Sequence, residues 1–114
     1  MQSFGKKGED LAVAFLEKKG YQILHRNFRH KKSEIDIICS KSGLLVFVEV
    51  KSRSSKAFGP PETFVSKRQE QSILKASEAF ILDEDWHGDI RFDIIAIYKK
   101  GATEEVEHFE DAFY

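Results

Sequence analysis

The fold of this chain is decided by residues 33–51, which read SEIDIICSKSGLLVFVEVK. Two apolar runs with the composition of β-strands flank Ser42-Gly43, the best turn dipeptide between them. A two-residue turn at this point makes the segment an antiparallel hairpin. Because residues 44–48 are all apolar, we expect the second strand of the hairpin to be central and covered on both faces.

Charged residues interrupt both apolar runs at alternate positions. Glu34 and Asp36 share one face of the first strand, and Glu49 and Lys51 share one face of the second. In the register set by the turn, Asp36 faces Glu49 and Glu34 faces Lys51, with opposed Cβ atoms about 5 Å apart. The sequence therefore predicts a compact carboxylate pair with a lysine beside it.

Two carboxylates about 5 Å apart repel each other by about 3 kcal/mol at an effective dielectric constant of about 20. A fold tolerates such a pair if one carboxyl takes up a proton or a cation lies between them. Oxygen ligands on rigid strands suit Mg²⁺ or Mn²⁺, and a neighbouring lysine can orient a water or neutralise transition-state charge. This set of groups is typical of metal-assisted phosphodiester hydrolysis.

The composition predicts one domain, residues 1–114, with a single core. Of the 114 residues 41% are hydrophobic and 32% are charged, and the net charge is −1. That balance excludes a uniformly basic nucleic-acid binder, but basic residues concentrate in the first two thirds of the chain and acidic residues near the C-terminus. One face can therefore still bind a polyanion.

The lone cysteine, Cys39, excludes an internal disulfide and favours a reducing compartment. Its position in an apolar run favours a small buried residue over a reactive thiol. No stretch approaches the ~18 apolar residues of a membrane span, and no signal-peptide pattern is visible. We expect a cytoplasmic protein with no membrane partner.

Periodicity predicts two helices and up to five strands. The first helix covers residues 5–19 and ends at Gly20, and the second runs from a capping box at Ser66 and Gln69 to about Leu82. The strands are predicted at 21–28, 33–40, 44–51 and 91–98, with an optional last strand at 105–109. Residues 52–62, rich in Ser, Gly and Pro, predict a loop. The order α-β-β-β-α-β indicates an α/β fold with one mixed sheet flanked by helices.

The Asp36…Glu49-Val50-Lys51 arrangement resembles the Asp…(Asp/Glu)-X-Lys signature of the PD-(D/E)XK nuclease superfamily. The wider pattern comprises Gly5-x-x-x-Glu9-x-x-Ala12, Asn27, Glu34-Ile35-Asp36, Phe47-Val48-Glu49-Val50-Lys51-Ser52-Arg53, Lys67 and Arg91-Phe92-Asp93. With this pattern the chain closely resembles the YraN-like family of bacterial proteins, which is similar to archaeal Holliday-junction resolvases. The short signature is common by chance, whereas the extended match is specific.

This resemblance implies a restriction-endonuclease-like fold and a metal-dependent endonuclease that acts on DNA, including branched or structured DNA. Asp36 and Glu49 would be ligands of Mg²⁺ or Mn²⁺, with the Val50 carbonyl as a third. Lys51 would be the catalytic lysine, and Glu9 a further metal-site carboxylate from the first helix. Resolvase-like enzymes cut two strands as dimers, so a homodimer is the expected partner state.

Two positions depart from the expected patterns. Ile35 precedes Asp36 where the superfamily is named for a proline, a common loss that leaves the metal chemistry intact. Ser33 stands where the YraN-like pattern is expected to have a glycine, which changes a close approach of the backbone there.

Five residues are candidates for nucleic-acid contact. Arg53 and Lys56 follow the catalytic lysine, and Lys67, Arg68 and Gln69 open the second helix. Gln69 is also explained by capping. Two basic residues at a helix start oppose the helix dipole, and phosphate binding would account for them.

Other interpretations stay open at this point. The charged strand face would also fit a solvated surface with a Lys51–Glu34 ion pair, and Glu34 would also fit a carboxylate that supports the metal ligands. Glu9 lies near a helix N-terminus, which favours carboxylates in any case. Asp93 fits an ion-pair partner, and the four histidines show no ligand spacing. The alternative function is a catalytically weak nucleic-acid-binding module of a DNA repair or processing complex, and a third is an RNA nuclease.

Overall fold

The computed structural model describes residues 4–53 and 65–114, without the side chains of residues 4–6. Its elements are α1 (Phe4–Lys18), β1 (Gln22–His30), β2 (Ser33–Lys41), β3 (Leu44–Arg53), α2 (Lys67–Asp83), β4 (Asp89–Lys100) and β5 (Thr103–Phe109). The five strands form one sheet in chain order, in which β3 and β4 are parallel and the other neighbours antiparallel. This is the predicted α/β fold with a mixed sheet, and the optional last strand is present.

The strands are longer than the sequence indicates. β3 extends through Ser52 and Arg53, which pair with Ile97 and Tyr98 of β4. The predicted loop at 52–62 is therefore wrong for its first two residues, because pairing with β4 extends β3. The rest of that loop, with the candidate Lys56, lies outside the described residues.

Both helix ends predicted from local sequence are confirmed. Gly20 has φ +92° at the end of α1, and the Tyr21 N–H donates to the Leu16 carbonyl at 3.0 Å. At the start of α2, the Gln69 N–H donates to Ser66 Oγ and the Ser66 N–H donates to Gln69 Oε1, both at 3.1 Å. Neither described helix is long and apolar enough to cross a membrane.

The helices cover opposite faces of the sheet. Leu45 and Phe47 belong to the core cluster that contains the buried residues of α2, whereas Val46 and Val48 belong to the cluster that contains those of α1. The all-apolar β3 is thus a central strand covered on both faces, as predicted. Cys39 is buried in the cluster under α1, and burial raises its thiol pKa to about 12, as expected of an unreactive core residue.

Candidate metal centre

The β2–β3 hairpin has the predicted turn. Ser42 and Gly43 both have positive φ, at 50° and 81°, which is the geometry of a type I′ turn. Pairing follows the predicted register to Ile37↔Val48 and then ends. The two strands separate beyond this pair, and we call the opening between Asp36 on β2 and residues 49–50 on β3 the notch.

A side chain replaces the backbone acceptor at the notch. The Val50 N–H donates to Asp36 Oδ2 at 2.8 Å, so the Asp36 carboxylate rather than a β2 carbonyl bonds to β3. The regular alternation of β2 also breaks here. Ile35 packs in the cluster under α2 and Ile37 in the cluster under α1, although residues two apart in a regular strand share a face.

The irregularity of β2 is matched on β1. Asn27 of β1 and Asp36 of β2 are not paired, although the residues on either side of them are. Asn27 has a left-handed backbone with φ +53°. Asparagine is one of the few non-glycine residues that adopts this conformation readily. A local distortion shared by β1 and β2 therefore accompanies the opening of the notch.

Glu49 is buried and Asp36 is half-buried, and the two carboxyl groups lie together at the notch. Burial, followed by the charge of Asp36, raises the pKa of Glu49 to about 8. Burial and then the charge of Glu9 also raise the pKa of Asp36, against the opposing bond from Val50. Both carboxyl groups are therefore harder to ionise than free carboxyls.

Lys51 lies beside this pair, with its Nζ atom 3.8 Å from Glu49 Oε2 and only 16% of its side chain exposed. The alternative ion pair between Lys51 and Glu34 does not form. Glu34 instead pairs with Arg29 at 3.0 Å. The prediction that Glu34 faces Lys51 is wrong because β2 leaves β3 at the notch and continues beside β1 alone.

Glu9 approaches from α1 and is buried. Its Oε1 atom accepts hydrogen bonds from Arg26 Nε at 3.1 Å and from Asn27 Nδ2 at 2.9 Å. Arg26 also bonds Asp10 at 2.6 Å. Sequence reasoning assigned no role to Arg26 or Asn27, although an asparagine inside a strand was a signal of unusual backbone geometry.

The groups at the notch suit a divalent cation. Burial raises the pKa of both carboxyls, and a cation bound between them would offset the cost of ionising them. The N–H and C=O of one residue in an extended strand point to the same neighbour, so the Val50 carbonyl lies on the same side as its N–H, which bonds Asp36. Within the described ranges, no three His, Cys, Asp or Glu side chains form a metal-binding group. Two carboxylates, a carbonyl and waters match the habit of Mg²⁺.

The notch opens on a solvent-accessible cavity of about 300 Å³. Its lining residues are Glu34, Asp36, Glu49, Gln69, Ser72 and Ile73. The candidate Gln69 thus lies at the cavity as well as in the capping box, and Glu34 lies beside the carboxyl pair. Ser72, which sequence reasoning missed, donates to Ser33 Oγ at 2.8 Å.

The remaining candidates for nucleic-acid contact that the structure describes do not line this cavity. Lys67 and Arg68 are exposed on the first turn of α2, directly before Gln69. Arg53 is half-buried at the end of β3, and its Nη1 atom donates to the Ser52 carbonyl at 3.0 Å. The structure thus brings Asp36, Glu49 and Lys51 together.

A second polar cluster lies apart from the notch. Asp93 is fully buried and accepts bonds from Arg91 at 2.7 and 2.8 Å, from the Asp111 N–H at 3.0 Å and from His108 at 2.7 Å. Burial acts to raise the Asp93 pKa, but the bonds from His108, Arg91 and Asp111 outweigh it and the pKa is lowered. The predicted ion-pair role of Asp93 is confirmed. His108, only 3% exposed, is a hydrogen-bonded core residue that also contacts Lys19.

The fold and site define an α/β protein in which a mixed sheet between two helices carries a carboxyl pair and a lysine at the end of a central hairpin. The chain belongs to the Uncharacterised protein family UPF0102, whose sequence profile matches residues 8–97. This confirms the YraN-like resemblance.

Similar proteins agree with this assignment. The chain is 53% identical over 110 residues to "UPF0102 protein FP2501" of Flavobacterium psychrophilum, covering 96% of this chain and 92% of that protein. It is 49% identical over 114 residues to a UPF0102 protein of Flavobacterium johnsoniae, covering 96% and 93%. Among solved structures, SfsA of Pyrococcus furiosus in complex with Ca²⁺ has a TM-score of 0.42 and 17% identity, covering 93% of this chain and 62% of that one. That last similarity is too low to carry a conclusion about this chain.

Proposed function

We propose that this protein is a metal-dependent endonuclease that hydrolyses DNA phosphodiester bonds, with branched or structured DNA among its substrates. The observation that carries the proposal is the pairing of half-buried Asp36 with buried Glu49, with Lys51 Nζ 3.8 Å from Glu49 and an open cavity in front. Two adjacent carboxyls shielded from water are costly to ionise, and perturbed carboxyls in a cavity are typical of functional sites.

Asp36, Glu49 and the Val50 carbonyl would hold Mg²⁺ or Mn²⁺, which supplies Lewis-acid activation of a phosphate oxygen and of water. Lys51 presents an ammonium group to the same place. Because that side chain is mostly shielded from solvent, its charge is weakly screened and can stabilise negative charge that develops on the phosphate.

Glu9 adds a carboxylate from α1, which covers the face of the sheet opposite α2. The bonds from Arg26 and Asn27 fix its Oε1 atom, and its charge reaches Asp36. In the proposed enzyme, Glu9 would be a further metal-site carboxylate, supplied by α1.

Nucleic-acid contacts would come from the residues around the cavity. Gln69 lines it, and Lys67 and Arg68 precede it on an exposed helix turn. Arg53 and Lys56 follow the catalytic lysine along the chain. Two symmetric cuts in a branched substrate would need two such sites, which a homodimer supplies.

The test is incubation of the purified protein with Mg²⁺ or Mn²⁺ and a panel of linear, nicked and four-way DNA. We expect cleavage by the native protein and a loss of at least ~100-fold in Asp36→Asn and Lys51→Ala. Lys18→Ala is a matched control because it removes an exposed cation at the end of α1 that does not line the notch cavity. Absence of cleavage on every substrate, with Asp36→Asn indistinguishable from the native protein, would contradict the proposal.

A second candidate is a nucleic-acid-binding module with little activity. The ion pair between Lys51 and Glu49 favours it, because it partly satisfies the notch without a cation. This candidate predicts weak Mn²⁺ binding and DNA binding that survives Lys51→Ala. Calorimetry that finds tight Mn²⁺ binding, lost in Glu49→Gln, would exclude it. Comparison of deoxyribose and ribose substrates separates a DNA nuclease from an RNA nuclease.

A further inference from the structure

A cavity of about 710 Å³ lies between the β1–β2 turn and the C-terminal half of α2. The turn contributes His30, Lys31 and Lys32 to its lining, and Lys75 lines it from α2. We call this cavity the lysine groove. None of these residues belongs to the carboxyl site or to the contacts proposed above.

The lysine groove adjoins the notch cavity. Ser33 lines the groove, and it is hydrogen-bonded at 2.8 Å to Ser72, which lines the notch cavity. The same helix also borders both cavities, first through Gln69 and Ser72 and then, about one turn later, through Lys75. A chain that leaves the notch along α2 therefore enters the groove directly.

The charges of the groove favour phosphate at the end nearest the notch. Lys31, Lys32 and Lys75 provide three ammonium groups, and both turn lysines are exposed. Two carboxylates, Glu78 and Asp83, also line the groove, and Asp83 is the last residue of α2. Phosphates are attracted to the end of the groove formed by Lys75 and the turn, and they are repelled from the end that contains Asp83. The acidic end thus limits how far a polyanion can follow the helix.

We infer that the lysine groove binds the sugar-phosphate backbone of a nucleic-acid strand at a distance from the phosphate to be cut. This inference rests on the proposed function for its choice of ligand. Lys31, Lys32 and Lys75 contact phosphates and carry no sequence information, so they position the strand while the notch performs the chemistry.

The experiment measures DNA binding as a function of salt for the triple variant Lys31→Gln/Lys32→Gln/Lys75→Gln. The probes are one long duplex and one duplex too short to reach from the notch to the groove. Because each phosphate contact contributes about 0.9 to the slope of log K against log salt, we expect the slope on the long duplex to fall by about 2–3. The slope on the short duplex stays unchanged.

The matched control is Lys18→Gln/Lys99→Gln/Lys100→Gln, which removes the same charge at exposed lysines that line neither cavity. A slope that is unchanged in the groove variant, or that falls equally in the control, would overturn the inference. If the native protein cuts DNA while the groove variant keeps its slope, only this inference fails. If the salt dependence of DNA binding is weaker in the groove variant but the native protein never cuts DNA, only the proposal of nuclease activity fails. A native protein that does not bind DNA overturns both.

Discussion

The backbone N–H of Val50 donates to the Asp36 carboxylate at 2.8 Å, across the point where β2 and β3 separate. This bond ties a side chain of one strand to the backbone of the next and holds Asp36 against Glu49. The hairpin turn sets which residues meet, and the end of the ladder makes room between them. The site therefore depends on an interruption of the sheet.

The raised pKa of Glu49 predicts that the metal-free protein loses stability as pH rises. Glu49 titrates near 4.5 when unfolded and at about 8 when folded, so between these values the folded state binds more protons. Its stabilising effect is complete below the unfolded pKa and is lost as pH rises through the folded pKa. We expect the free energy of unfolding to fall by about 4 kcal/mol between about pH 5 and pH 9.

Urea unfolding at the two pH values measures this change, with Glu49→Gln as the control. The glutamine carries no charge at either pH, so only the smaller contribution of Asp36, whose pKa is also raised, should remain in the variant. The lowered pKa of Asp93 places that group's titration below this window. Equal pH dependence in the native protein and Glu49→Gln would contradict the account of the carboxyl pair.

The left-handed backbone of Asn27 predicts a difference between two substitutions. Asn27→Gly and Asn27→Ala both remove the Nδ2 bond to Glu9, but only alanine is strained at φ +53°. We expect Asn27→Ala to be less stable than Asn27→Gly by about 1–2 kcal/mol in chemical unfolding. The two variants should lose cleavage activity equally, because Glu9 loses the same donor. Equal stability would show that the backbone strain is absent.

Gln69 has two possible roles, in the capping box of α2 and in the notch cavity, and a comparison with Ser66 separates them. Ser66→Ala and Gln69→Ala each break the box and should each destabilise the protein by about 1 kcal/mol. Only Gln69 lines the notch cavity, so only Gln69→Ala should weaken DNA binding or cleavage at matched folded fraction. If both variants keep native activity, Gln69 acts as a cap alone.

The buried Asp93 cluster predicts a large effect on stability. Asp93→Ala removes the buried carboxylate shared by Arg91 and His108 and should cost about 3–5 kcal/mol in thermal or chemical unfolding. Glu110→Ala, which removes the exposed partner of Arg91, should cost less than about 1 kcal/mol. Similar losses of stability in the two variants would contradict the claim that the buried Asp93 contributes more than the exposed Glu110. If Asp93→Ala does not fold, Asp93→Asn gives the same ranking on a smaller scale.

Sequence reasoning succeeded where short-range rules decide the structure. The turn at Ser42-Gly43, the cap at Ser66 and the stop at Gly20 depend on a few neighbouring residues, so the hairpin register and both helix ends followed from them. The proximity of Asp36 to Glu49 followed from the register.

The rest depends on contacts between distant parts of the chain. The β2–β3 ladder ends after Ile37↔Val48, where β2 is also irregular beside β1, and neither strand alone indicates this end. For the same reason sequence reasoning placed Glu34 opposite Lys51. The contacts of Glu9 and the Ser33–Ser72 bond could not be predicted from the sequence either, because they join elements that are far apart in the chain.

The central claim is that the notch holds a divalent cation. Its most direct test is an anomalous difference map from a crystal soaked in Mn²⁺. We predict one peak within coordination distance of the Asp36 and Glu49 carboxylates and the Val50 carbonyl, absent from Glu49→Gln crystals soaked in the same way. A notch without a peak at a Mn²⁺ concentration that supports cleavage, or a peak that persists in Glu49→Gln, would contradict the account.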